Sequence, residues 1–252
     1  MIASSMTRVF AAAAVLAGLG GCATHNPQDP LEPYNRAMFS VNEKIDKMVM
    51  KPVATGYRNV TPKPIRHGVT NFFGNLGDVW SMTNDFLQGN VVDGTSTFMR
   101  VGVNSVFGVL GTVDIATEMG IYKHPNDFGL TLARWGVGPG PYVVLPLLGP
   151  SDVRDAVGTG TNLVYGPVAQ IQPSSASWGA TALGAVNERA NLLSASALFE
   201  QISLDPYLFS RGAYLQRRAA QVKDARDRPI IDLGAPDPLA PYSYRSDNGA
   251  AQ

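Results

Sequence analysis

Soon after residue 30 apolar residues begin to recur at helical spacing. Tyr34, Met38, Val41, Ile45, Met48 and Val49 trace one face, the three-and-four interval of an amphipathic helix. Asp29-Pro30-Leu31-Glu32 opens it, with Asp29 as the expected cap, an early proline and an acid in the first turn. Lys51-Pro52 is expected to end or kink this helix, because proline lacks the backbone donor. Thr61-Pro62-Lys63-Pro64 is a turn that restarts a helix through Ile65, Val69, Phe72 and Phe73. Gly74-Asn75-Leu76-Gly77-Asp78 predicts an interruption, then a short helical stretch through Trp80, Met82, Phe86 and Leu87 that Gly89 stops. Asp93 is expected to cap the next helix. Its Phe98, Val101, Val103, Val106, Phe107, Val109 and Leu110 leave little polar circumference, and Arg100 and Asn104 are the exceptions. A helix apolar nearly all round is buried in protein or faces lipid. A shorter helix is expected over 115–122, and residues 128–135 lead into the segment that follows. An amphipathic one is expected over 188–204, with Leu192, Leu193, Leu198 and Phe199, and another after Asp205-Pro206.

The pattern breaks between residues 135 and 155. Gly136, Gly138, Gly140 and Gly149 alternate with Pro139, Pro141, Pro146 and Pro150, a density no helix survives. Between them stand Tyr142, Val143, Val144, Leu145, Leu147 and Leu148, and no charge falls between Trp135 and Ser151. Loops normally face water. One reading is a buried strand or hairpin leg in a soluble core. The other is a re-entrant hairpin at membrane depth, where irregular backbone is tolerated if protein shields it or it lines a cavity.

Composition favours the second reading. The 252 residues are 45% hydrophobic but only 16% charged, against roughly 25% charged in an average soluble domain. Twenty acids balance twenty bases, which argues against nucleic acid as a partner. After Asp155 the next charge is Glu188, yet Pro167 and Pro173 rule out one long spanning helix there. The expectation is a body sunk into one leaflet, with no transmembrane helix.

The start of the chain is an address and an anchor. Arg8, an apolar run from Val9 to Leu19, and Gly20-Gly21 make residues 1–21 a signal peptide. Leu19-Gly20-Gly21-Cys22 resembles the bacterial lipobox, so Cys22, the only cysteine, is expected to carry covalent lipid. Each buried methylene of such chains contributes about 0.8 kcal/mol. Ala23 in place of Asp implies release to the outer membrane. Residues 22–28 read as an acylated tether, 29–228 as one helical domain, and 229–252, with Pro229, Pro236, Pro238 and Pro241, as an extended or disordered tail.

No constellation for catalysis or metal binding emerges, and no cofactor is expected beyond the lipid on Cys22. His25, His67 and His124 follow no metal spacing. There is no Gly-x-Ser-x-Gly elbow and no phosphate loop. Asp152 and Asp155 flank Arg154, a spacing that suits structural pairing. Arg100, Asn104, Asp114, Asp127, Arg154, Asp155 and Arg211 sit among apolar residues, where ionisable groups persist by pairing or by lining water. They are candidates either for ion pairs that fix helix packing or for a lining that takes lipid head groups. Arg211, Arg217, Arg218, Lys223 and Arg226 give the last helix a basic face, read as solvated, or as attracted to anionic lipid or an acidic partner.

With these pieces assembled, the chain resembles the MlaA (VacJ) family of outer-membrane lipoproteins. The resemblance is carried by Asp29-Pro-Leu-Glu-Pro-Tyr-Asn-Arg36, Asn71-Phe-Phe-Gly-Asn-Leu76, Asn84-Asp-Phe-Leu-Gln-Gly89, and Arg100 with Asn104-Ser105. Further on it rests on Trp135-Gly-Val-Gly-Pro-Gly-Pro-Tyr142, Leu145-Pro146, Gly149-Pro-Ser151, Asp205-Pro-Tyr207, Arg211 and Ala213-Tyr-Leu-Gln-Arg217. It implies an all-α, ring- or disc-like body in one leaflet, with an irregular Gly/Pro-rich hairpin beside a central polar channel. Gly136, Gly138, Gly140, Pro141, Tyr142, Leu145 and Leu147 would form that hairpin. It further implies removal of stray phospholipid from the outer leaflet of the outer membrane, association with a trimeric porin, and hand-off to a soluble periplasmic carrier and an ATP-driven inner-membrane complex. A structural porin-associated or surface lipoprotein and a lipid hydrolase are the alternatives.

Overall fold

Residues 29–228 are described by the computed structural model; the signal peptide, Cys22 with its tether, and the tail 229–252 lie outside the described residues. The elements are α1 (Glu32–Ile45), a π-helical turn (Asp46–Met50), α2 (Lys51–Val60), α3 (Lys63–Leu87), α4 (Val91–Val106), α5 (Ile115–Glu118) and α6 (Phe128–Arg134). Then come β1 (Tyr142–Leu145), β2 (Gly149–Asp152), α7 (Val153–Tyr165), a 3₁₀ turn (Pro167–Gln170), α8 (Ser174–Ile202) and α9 (Pro206–Asp227). The all-α expectation holds apart from the two short strands, which pair antiparallel from Tyr142 opposite Asp152 to Leu145 opposite Gly149. Among the described residues no helix is long and apolar enough to cross a membrane.

Local physics explains where the elements depart from expectation. Pro52 neither stops nor breaks the chain's first long helical run. Its ring would press on the carbonyl four residues back and it cannot donate a hydrogen bond. The π turn just before it widens the helix, and the Lys51 amide donates to Asp46 instead. The expected interruption at Gly74–Asp78 is absent, and α3 runs unbroken for 25 residues. The glycines there make room: a Cβ at Gly74 would lie 2.7 Å from the Lys123 Nζ, and one at Gly77 would meet nothing. Asp29 does not cap α1, which has no side-chain cap; it is buried and bonded elsewhere. Asn90, not Asp93, caps α4. The last two helices begin differently: α8 starts at Ser174, earlier than expected, while Asp205 caps α9 as expected.

The interior is polar and the exterior apolar. Asp29, Asn84, Asp85, Thr131 and Arg100 are at most 1% exposed, and buried polar residues outnumber buried apolar ones among the described residues. The buried apolar set is small, half of it alanines, the rest Leu130, Tyr142, Val144, Leu193 and Tyr207. Outside stand Val106, Phe107, Leu110 and Trp178, each more than 70% exposed. A Phe or Leu left in water forfeits roughly 1.5–3 kcal/mol. This is the reverse of a water-soluble domain.

One buried carboxyl gives the interior a pH dependence. Burial pushes Asp85 up to about 7, against the hydrogen bond it accepts from Asn126. An unfolded aspartate titrates near 4, so the native state keeps a proton that the unfolded chain releases. Stability therefore falls as pH rises from about 4 to about 7. Asp85→Asn keeps the acceptor for Asn126 without the charge. It is expected to raise the melting temperature in detergent by several degrees at pH 8 and to change it little at pH 4. Equal gains at both pH values would remove Asp85 as the cause.

Candidate functional site: a polar cavity

Helices α3, α7 and α9 and the segment that precedes α6 enclose a cavity of about 640 Å³. Gly74 and Gly77 of α3 leave space on its wall, which Gly158 of α7 also lines. The polar wall comes from Asp78, Lys123, Asn126, Asp127, Ser151, Asp155, Thr159, Asn162, Tyr214, Arg217 and Arg218. A separate groove of about 540 Å³ opens on the apolar exterior between Ile65, Val69, Phe72, Phe73, Val113 and Leu183. Polar groups converge only on the first of these two, and it is the candidate site.

In and behind the wall two charge clusters hold the helices in register. In the first, Arg100 of α4 is 1% exposed. Its Nε donates to Asp78 at 2.9 Å, Nη2 to Asp114 at 2.5 Å, and Nη1 to Thr117 Oγ1 at 2.8 Å and the Ile121 carbonyl at 2.6 Å. Asn104 donates to Asp114 and accepts from the Ala116 amide. Burial raises the Asp114 carboxyl, but hydrogen bonds from Thr117, Arg100 and Asn104 outweigh it and hold the group at about 2. In the second cluster, Arg218 of α9 donates through both Nη atoms to Asp127 at 2.7 Å, and through Nη2 to Asp155 at 2.8 Å. Arg154 donates to Asp155 at 2.9 Å and to Asp152 at 3.3 Å, and the Tyr214 hydroxyl to Asp155 at 2.7 Å. Burial raises Asp155, while Arg218, Arg154 and Tyr214 bring it below the usual carboxylate range. Asp127 and Asp152 also cap α6 and α7.

A third cluster lies away from the cavity. Asp29 accepts from Asn35 at 2.8 Å, from Arg211 at 2.9 Å and from the Tyr207 hydroxyl. It ties the start of the domain to α9. Asn35 then clamps β1, donating to the Tyr142 carbonyl at 3.1 Å and accepting from the Val144 amide at 2.8 Å. Two turns along α1, Asn42 repeats this: it donates to the Leu145 carbonyl and accepts from the Leu147 amide, each at 2.8 Å. The two asparagines, seven apart on one helix face, act as a third strand for β1.

The residues singled out from sequence therefore separate. Asp127 and Asp155 line the cavity. Arg100, Asp114 and Arg154 stand behind it as ion-pair partners, Asn104 hydrogen-bonds to Asp114 beside them, and Arg211 belongs to the Asp29 cluster. The hairpin is a strand pair, with Tyr142 buried inward. Gly136, Gly138, Gly140, Pro141, Tyr142, Leu145 and Leu147 are absent from the cavity wall, and only Pro150 and Ser151 of β2 reach it. The basic face of α9 is not simply solvated. Arg218 is turned inward, Arg226 donates to the Ala133 carbonyl, and Arg134 of α6 returns the contact to the Ala225 carbonyl. Lys123, Asn126, Asn162 and Tyr214 were not anticipated as lining. Asn162 is a polar side chain in an apolar stretch, but Lys123 and Asn126 fall in the polar run from Lys123 to Asp127, which reads as an ordinary loop, and Tyr214 falls on the basic last helix.

Known proteins bear on this arrangement. A lipoprotein named as the MlaA component of an intermembrane phospholipid transport system in Shigella flexneri is 39% identical over 209 residues, covering 79% of this chain and 82% of the relative. The protein of the same name in Escherichia coli (strain K12) matches to the same extent. That of Haemophilus influenzae is 33% identical over 220 residues, covering 82% of this chain and 87% of its own length. A solved structure described as the structural basis for maintenance of bacterial outer membrane lipid asymmetry superposes with a TM-score of 0.67 at 36% identity, covering 77% of this chain and 98% of its own. The sequence profile of the MlaA lipoproteins matches residues 27–221, nearly the whole described domain, and the chain belongs to that family.

Proposed function

We propose that this protein sits in the inner leaflet of the bacterial outer membrane and draws stray phospholipid from the outer leaflet through its polar cavity. Lipid on Cys22 anchors it from the periplasmic side. The extracted phospholipid passes to a soluble periplasmic carrier, and the outer leaflet keeps its asymmetry. The observation that carries this reading is the inversion of the molecule: polar groups inside around a hollow, apolar side chains outside. An unpaired polar head group in hydrocarbon costs several kcal/mol. A polar hollow supplies its partners while the acyl tails stay among the exposed valines, leucines and phenylalanines. No covalent step is needed, so the protein acts as a transporter and not a hydrolase. The names of the relatives, which place them in intermembrane phospholipid transport, support the same reading. The apolar exterior also offers a face to a trimeric porin.

The test is transfer by the full acylated protein in vesicles whose one leaflet carries fluorescent phosphatidylethanolamine. The label is expected to cross leaflets faster than in protein-free vesicles and to be recovered as intact lipid. Unchanged crossing would leave a structural lipoprotein, and recovered fragments would leave a hydrolase.

A further inference from the structure

Among the described residues, one cation of the cavity wall has no internal partner. Arg218 is taken by Asp127 and Asp155, and Arg154 by Asp152 and Asp155. Asp78 is taken by Arg100 at 2.9 Å. Arg217, one residue before Arg218 on α9, lines the same cavity, yet among the described residues it makes no hydrogen bond or ion pair. Lys123 also lines the cavity and is held loosely. Its ion pair among the described residues is with Asp78 at 3.4 Å, an acid already engaged by Arg100. Its ammonium rests over Gly74, where a side chain would displace it.

A guanidinium offers a planar fork of donors that matches two oxygens of one phosphate, and such bonds are about twice as strong as neutral ones. The bridging phosphodiester of a glycerophospholipid carries one negative charge on two free oxygens, which is the partner Arg217 lacks. We infer that Arg217 binds the head-group phosphate of the transported lipid, with Lys123 as a second cation that leaves Asp78 to join it. This deepens the transport reading and rests on it. The site then selects for the phosphodiester that all glycerophospholipids share, and against a diacylglycerol that has the tails but no phosphate.

The experiment uses the full chain in maltoside detergent, titrated calorimetrically with short-chain phosphatidylcholine, with diacylglycerol of the same chain length, and with glycerophosphocholine. Arg217→Ala is expected to weaken phosphatidylcholine binding by about tenfold or more, the worth of a charge-assisted pair. Arg217→Lys is expected to weaken it less, and Lys123→Ala to add to the loss. Because Arg217 has no internal partner, its variants are expected to keep the wild-type melting temperature. Phosphatidylcholine binding by Arg217→Ala at wild-type affinity overturns the inference. So does diacylglycerol binding as tight as that of phosphatidylcholine. Glycerophosphocholine binding as tight as the lipid would assign the site to free phosphodiesters and overturn the lipid as ligand. The vesicle assay separates the two claims. Equal transfer by wild type and Arg217→Ala removes Arg217 and leaves transport standing, whereas no transfer by the wild type removes the transport reading itself.

Discussion

Arg100→Ala is expected to cost about 3–5 kcal/mol, the usual consequence of deleting one partner of a buried charge cluster. The guanidinium feeds Asp78, Asp114, Thr117 and the Ile121 carbonyl at once. Without it Asp78, 5% exposed, is left charged with only Lys123 at 3.4 Å. Lysine is no substitute, since one ammonium cannot span four acceptors held by α3, α5 with its cap Asp114, and the loop after it. Arg100→Met combined with Asp78→Asn and Asp114→Asn is expected to recover most of the loss, because no buried charge is left unpaired and Lys123, which loses Asp78, is 42% exposed. Thermal unfolding in detergent and accumulation in the membrane fraction are the readouts. If Arg100→Ala melted with the wild type, the two acids would have to be satisfied some other way.

Gly77→Leu is expected to stop transport without harming the fold. Gly77 lines the cavity, and a Cβ there meets nothing within 4 Å. Replacing glycine inside a helix by a good helix former gains about 0.8 kcal/mol, while the leucine side chain fills polar space with hydrocarbon. Vesicle transfer is expected to fall at least about tenfold, since a head group entering the narrowed hollow loses polar partners. Gly158→Leu is the contrast. A Cβ at Gly158 would lie 2.6 Å from the Gly129 amide nitrogen, so any side chain pries α6 from α7 and overpacks the crossing, at about 1–3 kcal/mol. One glycine is there for the hollow and the other for the helix contact, and the pair separates blocking from unfolding. Normal transfer by a folded Gly77→Leu protein would move the route elsewhere.

The sequence made the helices legible because their apolar spacing is strong, and it made the Gly/Pro-rich segment legible as non-helical. It misled where a residue serves a distant partner. Asp29 before Pro30 reads as a cap, but its carboxylate is claimed by Arg211 and Tyr207, far along the chain. Gly74 and Gly77 read as a break because local propensity says nothing of a lysine or a cavity that needs the space. The strands were ambiguous for a similar reason. What fixes β1 is Asn35 and Asn42 on another element, and an asparagine pair seven residues apart looks like ordinary polar decoration. The basic stripe of α9 reads as a solvated face, and Arg217, Lys223 and Arg226 are indeed exposed, but Arg218 is buried against Asp127 and Asp155. That charges such as Arg100 would be paired was readable from their apolar setting. Which acid each one meets was not, since those partners come from other helices.

An interior built from hydrogen bonds also shapes how the protein responds to heat. The heat-capacity rise on unfolding comes from apolar surface newly wetted, while polar exposure lowers it. In detergent the exposed valines and leucines are already out of water before unfolding begins, and the groups set free are chiefly aspartates, asparagines and arginines. The increment per residue then falls below the ordinary value of about 12–15 cal/mol/K. The free-energy curve is correspondingly flat, so the molecule keeps much the same margin from cold growth to warm, and the chill that loosens oily cores has little purchase on it.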